Sequence, residues 1–122
     1  MESKHATTML SALGHEGRLA IFRLLVKAGP AGIAAGDIAR ALDMRPNTLS
    51  ASLAVLVHAG LIGSRREGRS IRYRVDYAAT RGLLVFLMAD CCNGAPEICA
   101  PLGALLERAG SCASLGAPAA GG

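Results

Sequence analysis

The chain has 122 residues and a mass of 12.5 kDa, enough for one small domain with a modest core and not for two. It is 52% hydrophobic but only 3% aromatic, with no Trp, so the expected core is aliphatic and helical, and a chain this small and apolar can also bury surface in a dimer. The net charge is +4; the longest apolar run, Leu83 to Ala89, is too short to span a bilayer, and Met1-Glu2-Ser3-Lys4-His5 carries no hydrophobic signal core, which points to the cytoplasm and to no membrane partner.

From Thr7 to Lys27, Met9, Leu10, Leu13, Leu19, Phe22, Leu24, Leu25 and Val26 recur at helical spacings, and Gly14 and Gly17 break the run into two helices. Gly29-Pro30-Ala31-Gly32 reads as a loop. The stretch Ile33 to Leu42 predicts a short helix with Ile38, Ala39 and Leu42 on its apolar face. Asp43-Met44-Arg45 makes a tight turn, and Pro46 stands where a first helical residue tolerates proline. Asn47 to Ala59 then reads as a helix with Leu49, Leu53, Leu56 and Val57 inward, stopped at Gly60.

Here the period changes. Leu61 and Ile62 lead into Arg65-Arg66-Glu67-Gly68-Arg69-Ser70, after which Ile71, Tyr73 and Val75 alternate with Arg72 and Arg74. Alternation around a polar turn containing glycine predicts a β-hairpin, its inner row on the helices, its outer row and tip arginine. Five arginines and one acid fall within ten residues, with no lysine. Guanidinium pairs bidentately with phosphate, so this surface points to nucleic acid, although a charge run can also be a merely solvated face. Two short helices joined by a tight turn and followed by a basic hairpin predict a winged helix-turn-helix, mainly α with a β-hairpin wing. Its second helix carries Arg45, Asn47, Thr48, Ser50, Ala51 and Ser52 at the end that enters the major groove of double-stranded DNA. Arg65, Arg66, Arg69 and Arg72 are the wing's candidate DNA ligands. Asn47 suits an adenine edge and Arg45 a guanine or phosphate. Asn47 could equally belong to an N-terminal cap, and Thr48 and Ser50 could be ordinary surface residues.

Tyr77 to Cys92 returns to helix, with Leu83, Leu84, Phe86, Leu87 and Met88 as a broad apolar surface and Asn93-Gly94 as its end. A short helix is expected from Pro101 to Ala109. Residues 1–110 are read as the DNA-binding and dimerisation domain and 111–122 as a flexible Gly/Ala-rich tail. Three cysteines, Cys91, Cys92 and Cys99, fall within nine residues. Adjacent cysteines bridge each other poorly, and three sulfurs without a nearby histidine leave a tetrahedral zinc site incomplete. Three thiolates suit a thiophilic ion such as As(III) or Sb(III). Three buried thiols packed as small hydrophobes are the plainer alternative. No organic cofactor is expected, and Cys112 reads as a spare thiol. A thiol enzyme would need a cysteine at a helix N-terminus beside a base; neither Cys91 nor Cys92 is so placed, so no enzyme is expected.

The run from Met9 to Val75 resembles the arsenic-repressor (ArsR/SmtB) family of winged-helix metal sensors. The resemblance lies in Leu13-Gly14-His15-Glu16-Gly17-Arg18-Leu19, Asp37-Ile38-Ala39, Leu49 to Leu56, Ala59-Gly60-Leu61-Ile62, and Arg65 to Arg69 with Tyr73. It implies a homodimer that binds a palindromic operator when metal-free and releases it on binding metal. It also implies dimerisation through Thr7–Leu13 and Tyr77–Cys92. Ala34, Ala35 and Gly36 stand where the members with the best-known arsenic site carry a Cys-x-Cys pair, so that site is absent. Asp90 stands alone where zinc sensors of the family place His and carboxylate pairs. A few members instead bind As(III) near the end of the dimer helix, through two adjacent cysteines and a third a few residues on, and Cys91, Cys92 and Cys99 match that arrangement. The function implied is an As(III)/Sb(III)-responsive repressor. The alternative is a winged-helix repressor that senses thiol oxidation or persulfide.

Overall fold

Small residues let the first helix sit close against its neighbours. In α1 (Ser3–Leu13), Ala6, Met9 and Ala12 recur every three residues and are all buried. The chain then breaks at Gly14-His15, where two glycine-flanked residues interrupt the apolar run. His15 caps α2 (Glu16–Ala28): its Nδ1 accepts hydrogen bonds from the Gly17 amide at 3.2 Å and the Arg18 amide at 3.4 Å. Arg18 closes the other side of the break, donating from Nε to the Ala12 carbonyl at 2.6 Å. Ile21, Phe22 and Leu25 face inward from α2, whereas Leu10, Leu19 and Val26 of the expected apolar set are exposed.

The computed structural model describes residues 1–89, of which Met1–Leu84 form one compact unit. The expected helix end at Asn93-Gly94, the helix Pro101 to Ala109, the tail 111–122 and all four cysteines lie outside the described residues.

After a 3-10 turn at Gly29–Ala31, residues Ile33–Ala34 form a short strand, β1, and the third helix starts only at Ala35. This corrects the helix expected from Ile33. Both residues pair antiparallel with the hairpin, Ile33 opposite Tyr73 and Ala34 opposite Arg72, and that pairing overrides their local preference. Gly32 makes the approach possible. Its φ is +71°, and a Cβ there would collide with the Tyr73 carbonyl oxygen. Only glycine fits.

Helices α3 (Ala35–Leu42) and α4 (Pro46–His58) follow, joined by Asp43-Met44-Arg45. Strands β2 (Ile62–Glu67) and β3 (Ser70–Val75) form the hairpin, and the sheet order is β1-β3-β2. Gly68 takes a positive φ of 63° at the first of the two turn positions, and Arg69 does not, the combination of a type II′ turn. The core joins the helices to the hairpin base: Met9, Ile21, Leu25, Ile38, Leu56 and Leu61 are fully buried, with Ile62, Val75 and Leu83 beside them. Val57 was expected inward but is 38% exposed, because Leu49, Leu53 and Leu56 already define the inward face of α4. Asp76 starts α5 (Tyr77–Met88), its Oδ1 accepting from the Ala79 amide at 3.0 Å. Among the described residues no helix is long and apolar enough to cross a membrane.

Candidate nucleic-acid interface

The turn between α3 and α4 is fixed from both ends. Asp43 adopts the left-handed conformation (φ 51°, ψ 50°), which a short polar side chain tolerates, and Met44 donates its amide to the Ala39 carbonyl at 3.0 Å. Arg45 is extended (φ −68°, ψ 143°), as the residue before a proline must be, and Pro46 opens α4. No side chain caps this helix at Arg45. The first intrahelical bond of the helix runs from the Leu49 amide to the Arg45 carbonyl at 2.9 Å. The amides of Asn47 and Thr48, in the uncapped first turn, therefore face outward at the positive end of the helix dipole.

Arg45, Asn47, Thr48, Ser50 and Ala51 are exposed around that end, as the sequence pattern places them. Ser52 is not. It is 6% exposed, the one buried polar residue among those described. Its position three residues after Leu49 and four before Leu56 puts it on the inward stripe, which corrects the expectation that it is exposed. An open groove of about 470 Å³ runs beside α4, lined by His15 and Arg18 of α2 and by Asn47, Thr48, Ala51, Ser52 and Val55. The cap that His15 makes at the helix break gives it a structural role. Its place beside the recognition helix has no signal in the sequence.

The hairpin register sorts the arginines onto two faces. Ile62 opposes Val75, Ser64 opposes Tyr73 and Arg66 opposes Ile71, so Arg66 belongs to the inner row and is exposed only because it lies near the tip. On the other face Gly63 opposes Arg74, Arg65 opposes Arg72 and Glu67 opposes Ser70. Glu67 therefore sits among the outer arginines. Arg72 Nε donates to Glu67 Oε1 at 3.1 Å, and Arg65 Nε lies 3.8 Å from Glu67 Oε2. Arg72 also donates from Nη1 to the Gly32 carbonyl at 3.1 Å and the Ala31 carbonyl at 3.5 Å. Arg65, Arg66, Arg69 and Arg74 are exposed, while Arg72 is half-buried. Strand parity counted outward from Gly68 would have put Glu67 beside Arg65 and Arg72; nothing local points to the Ala31 and Gly32 carbonyls.

Among the described residues no three His, Cys, Asp or Glu side chains come together as a metal-binding group. Ala34, Ala35 and Gly36 span the end of β1 and the start of α3. Asp37 and Arg40 of α3 pair with each other in solvent.

A helix-turn-helix with an arginine-edged hairpin defines a winged-helix DNA-binding protein. Residues 13–65 match the family model of a helix-turn-helix domain. Over 89 residues the chain is 35% identical to the biofilm growth-associated repressor of Agrobacterium fabrum, covering 73% of this chain and 72% of that protein. It is also similar to the homodimeric winged helix-turn-helix DNA-binding domain Mb0332 of Mycobacterium bovis, described as a possible ArsR-family regulator. Identity there is 34%, covering 71% of this chain and 80% of that one, with a TM-score of 0.59. A third similar structure is reduced HlyU of Vibrio cholerae, 28% identical over 71% of this chain and 92% of that one, with a TM-score of 0.56. The chain belongs to the ArsR family of winged-helix transcriptional regulators, and it is a repressor of that type rather than an enzyme.

Proposed function

We propose that this repressor acts as a homodimer on operator DNA and is released from it when As(III) or Sb(III) binds Cys91, Cys92 and Cys99. The observation that carries the reading is the cluster itself: three thiols within nine residues, beginning three residues after the last residue of α5. The donor set fits the ion. Trivalent arsenic and antimony are soft and take three thiolate sulfurs, whereas zinc would need a fourth ligand. The dimer is supported by the homodimeric M. bovis relative and by Leu84, Val85 and Leu87, which α5 leaves exposed. On the DNA side the candidates are Arg45, Asn47, Thr48, Ser50 and Ala51 of the recognition helix with Arg65, Arg66 and Arg69 of the wing.

One observation favours a second reading, oxidation of a thiol pair. One of the similar structures is reduced HlyU, and the three clustered thiols of this chain offer a pair open to oxidation. The experiment separates the two. Duplexes selected from a random pool by the metal-free protein are followed by fluorescence anisotropy while As(III) is titrated in the presence of a phosphine reductant. Release under reducing conditions, lost in Cys91→Ser, Cys92→Ser and Cys99→Ser but kept in Cys112→Ser, is the result expected. Release only by an oxidant or persulfide donor, reversed by the reductant, would replace the metalloid reading with the redox one. In either case neutralising Arg66 or Arg69 lowers the dependence of log affinity on log salt by about one unit.

A further inference from the structure

We propose that Arg72 is a positioning residue of the wing rather than a phosphate ligand, and that Glu67, the one acid in the hairpin, is what holds it in that role. The proposal rests on the wing meeting DNA. Arg72 is the junction of three segments. Its backbone pairs with Ala34 of β1 and with Arg65 of β2, and its guanidinium spans from Glu67 to the carbonyls of Ala31 and Gly32. Three acceptors at 3.1 to 3.5 Å occupy its Nε and Nη1, so the group is turned toward the protein.

The arrangement is one only an arginine can make. The fork donates in two directions at once, to a carboxylate through Nε and to backbone oxygens through Nη1; an ammonium is a single point and cannot span both. Glu67 has a second effect. Arg65 and Arg72 are directly opposite across the strands, and like charges there repel. The carboxylate on the same face offsets that repulsion while lying 3.8 Å from Arg65, whose side chain stays 69% exposed. Arg65 is thereby aimed outward and Arg72 inward. The hairpin tip, which carries Arg66 and Arg69, is tied through Arg72 to the turn before β1.

This assignment opposes simple electrostatics and is tested on that ground. Removing an acid from a DNA-binding surface should tighten binding if Glu67 merely repels phosphate. If it anchors the wing, Glu67→Gln weakens binding to a mixed-sequence DNA duplex about fivefold at low salt, the scale of losing an exposed ion pair. Arg72→Lys, which keeps the charge, weakens it to the same extent as Arg72→Gln. Tighter or unchanged binding by Glu67→Gln, or parental binding by Arg72→Lys, overturns the proposal; so does a loss of thermal stability without a loss of affinity. A readout without DNA keeps the strut separate from the DNA-binding reading. In the free protein the Arg72 Nε–H exchanges with solvent more slowly than those of Arg66 and Arg69, and Glu67→Ala, which removes the acceptor, abolishes the difference. A parent protein that binds no duplex but shows this protection refutes the DNA role alone; equal exchange at all three arginines refutes the strut.

Discussion

Gly29→Ala and Gly32→Ala form a matched pair that isolates one contact. Both glycines have nearly the same backbone, φ 76° and ψ −163° against φ 71° and ψ −171°, in a region that only glycine visits. Each alanine therefore incurs a strain of about 1–3 kcal/mol. The surroundings differ. A Cβ at position 29 meets nothing within 4 Å, whereas one at position 32 overlaps the Tyr73 carbonyl oxygen and comes within 3.1 Å of the Arg74 Cβ. Relieving that overlap means moving β3 away from the turn, which costs one or two hydrogen bonds of about 1 kcal/mol each. Gly32→Ala should thus be less stable than Gly29→Ala by about 1–2 kcal/mol, a further fall in Tm of about 4–16 °C for a domain of this size. Urea and thermal melts followed by circular dichroism measure both variants against the parent. Equal losses would show that β3 does not press on Gly32 and would remove the reason given for a glycine there.

Two further expectations follow from burial. Ser52→Ala, at a buried position on the inward stripe of α4, should leave affinity and preference for selected duplexes unchanged, whereas Asn47→Ala should blunt that preference; anisotropy with matched and mismatched duplexes decides it. Burial raises the Tyr77 pKa above its usual value near 10, and its hydroxyl donates to the Val26 carbonyl at 3.5 Å. Below that pH the group is protonated in both states and adds no pH dependence; as pH rises past 10 the unfolded chain ionises first, so stability falls, and Tyr77→Phe should lose less stability over the same interval in denaturant melts at stepped pH.

The helices were legible wherever local pattern decides them. The break at Gly14, the turn at Asp43-Met44-Arg45 and the proline at the head of α4 all lie where the sequence places them, because each depends on a few neighbouring residues. β1 was not legible. Two residues become a strand only because β3, some forty positions later, pairs with them. Ser52 was misplaced by chemical type: a hydroxyl suggests a surface, but the spacing from Leu49 to Leu56 puts it inside. Arg72 was counted with its neighbours because composition reveals a cluster of arginines and not their partners, and its carbonyl acceptor at Gly32 is 40 residues away.

Among the described residues the sheet order leaves β2 with one side unpaired, a six-residue edge of the kind that recruits a strand from another molecule. Arg65 and Arg66 stand on that edge, and bulky like charges repel a second copy laid alongside. On the reading proposed above, the arginines offered to a polyanion would also disfavour edge-to-edge pairing of two copies. A hairpin stripped of arginine to weaken its grip on nucleic acid would expose a neutral rim rich in hydrogen-bonding groups.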